Sequence, residues 1–314
     1  MGIIKEIIIL SAGIILSLTS GGNNSAINPA VLMGSGILKR KTAVFFCALG
    51  ILAGVIINAT LMINYGSTLI VNGKPDELLS IMISSIVTLI LLSAIGVPTS
   101  VSQLVIVSIA GFAAAGIFMI NWNYFLFTVI SWIVSVVVSV FLSAFFYNIF
   151  YRYSFLKPDV GLSFKIKFLI VLMSLYNSYL VGANVIGFII SIIRVSSIQI
   201  GYTELLLING IAGALGLLIM SKRIFIEVGF RLSRLGRIAT VSALLSSNII
   251  IQFFTAIGIP ISVTQTITGS LIGINLAKGS LRVGSSMKMF KNWIIAPIIG
   301  TTISLFVYLI LNFL

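Results

Sequence analysis

Apolar residues along this chain neither alternate nor keep to one helical face; they run in long stretches separated by short polar gaps. The stretches fall at about 3–19, 26–38, 42–64, 78–95, 101–120 and 124–150, then at about 165–181, 184–199, 203–221, 238–257, 263–277 and 289–314. Most match the roughly 20 residues a helix needs to cross a bilayer. The pattern predicts an all-α integral membrane protein of about 10–12 membrane segments, because no polar block is long enough for a soluble domain. The stretches at 26–38, 184–199 and 263–277 are short for a full span, and each follows a break containing Gly, Asn or Pro.

The order of stretches repeats. Gly22-Asn23-Asn24 is answered by Ala183-Asn184-Val185, an offset of 161. The run Gly96-Val97-Pro98-Thr99-Ser100-Val101-Ser102-Gln103 is answered by Gly258-Ile259-Pro260-Ile261-Ser262-Val263-Thr264-Gln265 at 162, Gly111 by Gly273 at 162 and Trp132 by Trp293 at 161. Several landmarks at one offset mark an internal duplication. We therefore expect two membrane repeats, 1–160 and 161–314. Met1 to Ser20 has the apolar character of a signal peptide, but it leads straight into one member of a matched pair, so we expect it to belong to the folded protein.

Basic residues give the sidedness. All but Lys5, Lys74 and Arg194 of the 19 Lys and Arg fall in four clusters, at 39–41, 152–167, 222–237 and 278–291. Excess Lys and Arg marks the cytoplasmic side. Equivalent loops carry opposite preferences: 39–41 is basic where 200–202 is uncharged, and 65–77 has one Lys where 222–237 has five basic residues. Likewise 121–124 is uncharged where 278–291 holds four. Homologous halves of opposite sidedness are inverted-topology repeats, here with broken or re-entrant helices. The map places a multi-pass protein in the plasma membrane with both termini external. The fourth and fifth stretches of each half then form a hairpin that enters and leaves on one side.

Composition narrows the chemistry. Of 314 residues 59% are hydrophobic and 8% charged, with a mean hydropathy of +1.22. The net charge of +13 sits in loops between apolar runs, not on a polar surface, which argues against nucleic acid as a partner. His is absent and the lone Cys47 lies mid-run, so it reads as a small core residue. The six acidic residues, Glu6, Asp76, Glu77, Asp159, Glu204 and Glu227, all lie in loops or near helix ends. With no His, no buried acid and no nucleophile–base pair, we expect no enzyme, no metal site and no cofactor. Any coupling ion must be held by carbonyl, amide and hydroxyl oxygens.

Two constellations carry the candidate chemistry. A polar, glycine-rich stretch, Thr19 to Pro29, lies inside an apolar region, where a following half-helix would point its positive end at the break. Its residues Asn23, Asn24 and Ser25, with Asn184 in the second copy, are candidate substrate ligands. The second constellation begins at a helix-breaking proline, Pro98 or Pro260, and supplies Ser100 and Ser102, or Ser262 and Thr264, at the start of a new helix. These hydroxyls would face an anion or coordinate a cation, and Ser100, Ser102, Ser262 and Thr264 are candidate substrate ligands. Asn23, Asn24, Asn184, Gln103 and Gln265 are the candidate cation ligands. Asn58, Asn177, Asn209 and Asn248 read as interhelical hydrogen-bonding groups, Trp122, Tyr124, Trp132 and Trp293 as interface anchors, and Arg194 as snorkelling to the surface.

The same residues resemble the inorganic phosphate transporter (PiT) family, whose mark is a duplicated Gly-Ala-Asn-Asp-Val-Ala-Asn-Ala motif with a duplicated Pro-Val-Ser-Thr-Thr-His motif. Here these read Gly21-Gly22-Asn23-Asn24-Ser25-Ala26-Ile27-Asn28 and Gly182-Ala183-Asn184-Val185-Ile186-Gly187, then Pro98 to Gln103 and Pro260 to Gln265. The resemblance covers essentially the whole chain. It implies an inverted-repeat fold, a homodimer, and uptake of phosphate coupled to sodium or protons. The family's motif Asp residues stand here as Asn24 and Val185, and its His residues as Gln103 and Gln265. The leading expectation is a secondary transporter of inorganic phosphate, or a similar tetrahedral oxyanion, working by alternating access. The alternatives are a sulfate permease and a non-transporting membrane scaffold or sensor on the same fold.

Overall fold

The computed structural model describes residues 3–94, 99–156, 160–196, 199–220, 236–279 and 283–313. We number its helices α1 (Ile3–Asn24), α2 (Ile27–Gly34), α3 (Arg40–Asn58), α4 (Tyr65–Leu69), α5 (Pro75–Ala94), α6 (Val101–Ala114) and α7 (Trp122–Leu156). The second part holds α8 (Val160–Leu180), α9 (Gly187–Val195), α10 (Tyr202–Met220), α11 (Arg237–Ala256), α12 (Val263–Ala277) and α13 (Val283–Phe313). Among the described residues eight helical stretches are long and apolar enough to cross a membrane. Among the described residues α6 is a shorter apolar helix, and its sequence equivalent α12 is 15 residues long.

The breaks explain why some segments are short. α1 persists to Asn24 and gives way at Ser25–Ala26, where the Asn28 N–H turns back to the Ser25 carbonyl at 3.1 Å. Pro29 sits in the first turn of α2, where its missing N–H leaves no helical bond unmade. The second copy behaves differently. The two stretches expected at 165–181 and 184–199 are one continuous helical path, with α8 passing through a π turn, Val181–Ile186, into α9. That copy has no proline, so Gly182-Ala183-Asn184 is absorbed as a widened turn instead of a break.

The hairpin expectation holds in the first half. The Val71 N–H donates to the Met119 carbonyl at 3.0 Å and the Asn121 N–H to the Leu69 carbonyl at 2.8 Å, while Asn72 Oδ1 accepts from the Met119 N–H at 2.7 Å. The segment leading into α5 therefore meets the segment leaving α6. The helix pair enters and leaves at one end of the molecule.

Packing is reciprocal. α1 lies on α10 as α8 lies on α3; α6 lies on α13 as α12 lies on α7; α5 lies on α13 as α11 lies on α7. Each pairing becomes another when sequence-equivalent helices are exchanged, which is two-fold pseudosymmetry. Equivalent helices α3 and α10 also meet: Gly210 faces Leu52 and Val55, and Gly213 faces Ile51, so they run antiparallel. Opposed packing of equivalent helices is consistent with inverted repeats. Glycines allow the close crossings. A Cβ on Gly54 would meet the Tyr179 carbonyl, and one on its equivalent Gly216 the Leu18 carbonyl.

Hydroxyls follow the same exchange. Ser304 on α13 bonds Ser84 of α5 and, at 3.1 Å, Ser108 of α6. The equivalents Ser143, Ser246 and Ser270 form a second cluster, with Ser246 Oγ 2.7 Å from Ser270 Oγ and Ser143 Oγ 2.8 Å from the Ser270 carbonyl. Such groups glue membrane helices where apolar contact gives no preference over lipid. Among the described residues Glu77 is the one buried charged side chain, and it lies at the start of α5, accepting the Lys74 N–H at 2.6 Å.

Candidate functional site

The second constellation becomes two helix starts. Ser100 leaves the helical region at φ −93°, ψ 118°, and its Oγ accepts the Gln103 N–H at 3.5 Å to cap α6. Ser262 does the same at φ −84°, ψ 104°, capping α12 through the Gln265 N–H at 3.3 Å. Serine favours this position because its hydroxyl satisfies a donor the first turn leaves free. Ser100 and Ser102 hydroxyls stand 3.3 Å apart, and Ser262 and Thr264 hydroxyls 3.2 Å apart. Gly96, Val97 and Pro98 lie outside the described residues. In the second copy Gly258 takes φ +74°, a turn that only glycine makes without strain, and delivers the chain to Pro260.

The two helix starts meet. Gln103 Nε2 donates to Gln265 Oε1 at 3.2 Å, and Gln265 Nε2 returns a bond to Gln103 Oε1 at 2.7 Å. Ser102 Oγ reaches the Ile261 carbonyl at 3.4 Å. Residues that contact their own symmetry equivalents lie on the axis, so the pseudo-two-fold passes between Gln103 and Gln265, as it does between Ile51 and Gly213. Both helices turn their positive ends toward this place. Ser100, Ser102, Gln103, Ser262 and Gln265 are all buried.

The asparagines bind the breaks together. Asn23 Nδ2 donates to the Thr99 carbonyl at 2.8 Å. Asn184 does more: Nδ2 donates to Thr255 Oγ1 at 3.0 Å and to the Ile259 carbonyl at 3.2 Å, and Oδ1 accepts the Ile261 N–H at 3.1 Å. Asn23 and Asn184 each hold the extended segment that precedes a helix start in their own half. The remaining sequence candidates point elsewhere. Asn24 Nδ2 returns to the Ser20 carbonyl of its own helix at 3.1 Å, and Ser25 Oγ donates to Ser178 Oγ at 3.1 Å.

Trp132 is corrected from interface anchor to interior group. It is buried, and its Nε1 donates to the Pro260 carbonyl at 3.0 Å, bracing the second break from α7. A Trp in an apolar run reads as an anchor in sequence; only the folded path shows what its N–H meets. Trp122 remains exposed. Thr255, the last residue but one of α11, accepts a bond from Asn184, and a lone Thr in an apolar run gives no signal of it in the sequence. Asn177 and Asn248 bond each other at 2.6 Å, and Ser17 Oγ donates to Asn209 Oδ1 at 2.8 Å, as interhelical bridges. Arg194 is exposed with its guanidinium 5.2 Å from the Tyr202 ring, away from the helix starts.

A helical membrane protein with reciprocal halves and half-helix starts meeting on the pseudosymmetry axis belongs to the class of membrane carriers with duplicated architecture. The particular family follows from comparison. The family model described as the phosphate transporter family matches residues 20–304, and the chain belongs to that family. The chain is 25% identical over 311 residues to the sulfate permease CysP of Bacillus subtilis (strain 168), covering 95% of this chain and 86% of that protein. It is 26% identical over 283 residues to a putative phosphate permease of Methanocaldococcus jannaschii, covering 88% and 89%. A solved structure titled the sodium-dependent phosphate transporter matches its fold with a TM-score of 0.82 at 19% identity, covering 99% of this chain and 100% of that one.

Proposed function

We propose that the chain is a secondary transporter of inorganic phosphate, or a closely similar tetrahedral oxyanion, working by alternating access of two inverted halves, 1–160 and 161–314. The observation that carries the reading is the meeting of two serine-capped helix starts at the Gln103–Gln265 contact. Two helix N-termini aimed at one point supply positive potential and N–H donors without any basic side chain. Ser100, Ser102, Ser262 and Thr264 would complete the shell of donors, while Asn23 and Asn184 hold the helix starts in place. Family membership and the phosphate permease among the relatives support phosphate.

Coupling is the finer part of the proposal. The structural neighbour is titled sodium-dependent, and sodium fits a chain whose described interior offers neutral oxygens and no buried acid beyond Glu77. We place the protein in the plasma membrane with both termini external, from the basic clusters, and expect a homodimer from the family resemblance. A sulfate reading is favoured by one observation: the relative spanning 95% of this chain is a sulfate permease.

Uptake of labelled phosphate into proteoliposomes tests the proposal. We expect saturable uptake above empty vesicles, stimulated by an inward sodium gradient and poorly inhibited by sulfate. Absence of phosphate uptake under every gradient sinks it. Uptake that sulfate alone drives transfers the function to the sulfate reading.

A further inference from the structure

Between α11 and α12 the chain runs outside any helix, and buried, through Ile259, Pro260 and Ile261. Helical bonding has stopped there, so each backbone polar group needs another partner. The Ile259 N–H turns back to the Phe254 carbonyl at 2.9 Å, and Pro260 has no N–H. The Ile259 carbonyl accepts from Asn184 Nδ2 at 3.2 Å, the Pro260 carbonyl from Trp132 Nε1 at 3.0 Å and the Ile261 carbonyl from Ser102 Oγ at 3.4 Å. Consecutive carbonyls are thus claimed by side chains of three elements: the π turn, α7 and α6.

The middle peptide plane is held at both edges. In a trans peptide the carbonyl and the following N–H point opposite ways. The Pro260 carbonyl faces Trp132, while the Ile261 N–H donates to Asn184 Oδ1 at 3.1 Å. Turning this plane changes ψ of Pro260 and φ of Ile261 together, and the turn breaks both bonds. α7 delivers the indole rigidly. Trp132 continues the stripe of Val136, Ser139, Val140 and Ser143 that lies on α12. A Cβ on Gly269 would meet the Val136 carbonyl, and one on Gly273 the Val140 carbonyl. The Ser143 hydroxyl adds its bond to the Ser270 carbonyl at 2.8 Å. The two backbones therefore touch with no side chain between them, and the indole is buried at the end of that contact.

We infer that Trp132 is a positioning residue for the transported anion, holding the Pro260 carbonyl toward α7 so that the second break offers donors and no acceptor. The role rests on the transport reading above. The first turn of α12 leaves N–H groups without a helical partner, and Ser262 and Thr264 place their hydroxyls beside them. A carbonyl turned among these donors would set its negative end against an oxyanion and take up donors the anion needs. An indole N–H only donates, so it holds a carbonyl and brings no acceptor of its own.

Kinetics of phosphate uptake in proteoliposomes test the role. Trp132→Phe keeps an aromatic ring on the α7 stripe and deletes the N–H. We expect KM for phosphate to rise about tenfold, the effect of one lost buried hydrogen bond, with the maximal rate per protein within about twofold. A ring that only fills space would lower the amount or the thermal stability of the protein and leave KM where it is. Trp122→Phe, at the exposed end of the same helix, should change KM by less than about twofold. Trp132→Leu serves where Trp132→Phe gives no monodisperse protein, with the same direction expected. An unchanged KM in the folded variant, or failure of both variants to fold, makes Trp132 a packing residue and overturns the role. Absence of saturable uptake by the wild type under every gradient sinks the transport reading, whereas wild-type uptake with an unchanged variant KM overturns this role alone. Where sulfate and not phosphate is taken up by the wild type, the same KM is read for sulfate.

Discussion

The reciprocal amide bonds between Gln103 and Gln265 are the closest contact of the two sequence copies at the candidate site. Truncating one glutamine leaves the other's amide buried and unpaired, which costs about 1–3 kcal/mol, whereas removing both leaves no orphan. Gln103→Leu or Gln265→Leu alone should therefore lower thermal stability of the purified protein more than the double variant does. A double-mutant cycle on melting temperatures measures it, and strictly additive losses would contradict the pairing. Asn23 and Asn184 each hold the segment ahead of a helix start in their own half, so Asn184→Ala and Asn23→Ala should each reduce phosphate uptake in proteoliposomes. Equal protein in the vesicles, checked by immunoblot, separates this from lost expression. Asn24 bonds only within its helix turn, and Asn24→Asp restores the family's motif residue. We expect uptake by that variant to depend more steeply on sodium than wild type, read from uptake rates at graded sodium concentration.

At the scale of helices, packing depends on crossings that leave no space for a side chain. Gly54 and Gly216 are equivalents, and each faces a backbone carbonyl of the neighbouring helix. Gly54→Leu or Gly216→Leu must push two backbones apart, at about 1–3 kcal/mol or more. Both variants should give less monodisperse protein on size exclusion, while Gly36→Leu, with nothing near its Cβ, should change aggregation little beyond its own backbone strain. These elements also show what sequence discloses. The ends of α6 and α12 were readable because proline, serine and glutamine recur at one offset, and capping chemistry is local. The continuity of α8 into α9 was not, because Gly-Ala-Asn reads alike whether the chain breaks or widens into a π turn. The difference rests on Pro29, which has no counterpart in the second copy, where Ile190 stands at the matching offset. Trp132 was misread for a related reason: its N–H partner, the Pro260 carbonyl, lies 128 residues away and leaves no local trace. Ser25 is expected from the sequence as a substrate ligand, yet its hydroxyl contacts Ser178 and not the helix starts.

For the molecule as a whole, the basic clusters and the folded hairpin make a joint forecast. Asn72 and Met119 meet at one end, beyond the near-uncharged loops, and Lys5 and Asp76 pair at 2.9 Å on the exposed rim. In a Cys47→Ser background, Asn72→Cys and Asn121→Cys should react with an impermeant maleimide from outside the cell, whereas Lys41→Cys and Lys291→Cys should react only after permeabilisation. Uniform labelling of all four from outside would contradict the inverted map. Among the described residues Glu77, at the start of α5, is the one buried acid. Shifting one elementary charge across 100 mV is worth about 2.3 kcal/mol, so a carrier with ionised groups in its moving core feels the membrane voltage even when empty. Among the described residues the core of amides, hydroxyls and helix ends holds no ionised group away from that rim. We expect the empty carrier to reset at a rate that changes little with the resting potential, so that the cell's voltage acts on the cycle through the net charge of what is aboard; reset rates measured at graded potentials check it.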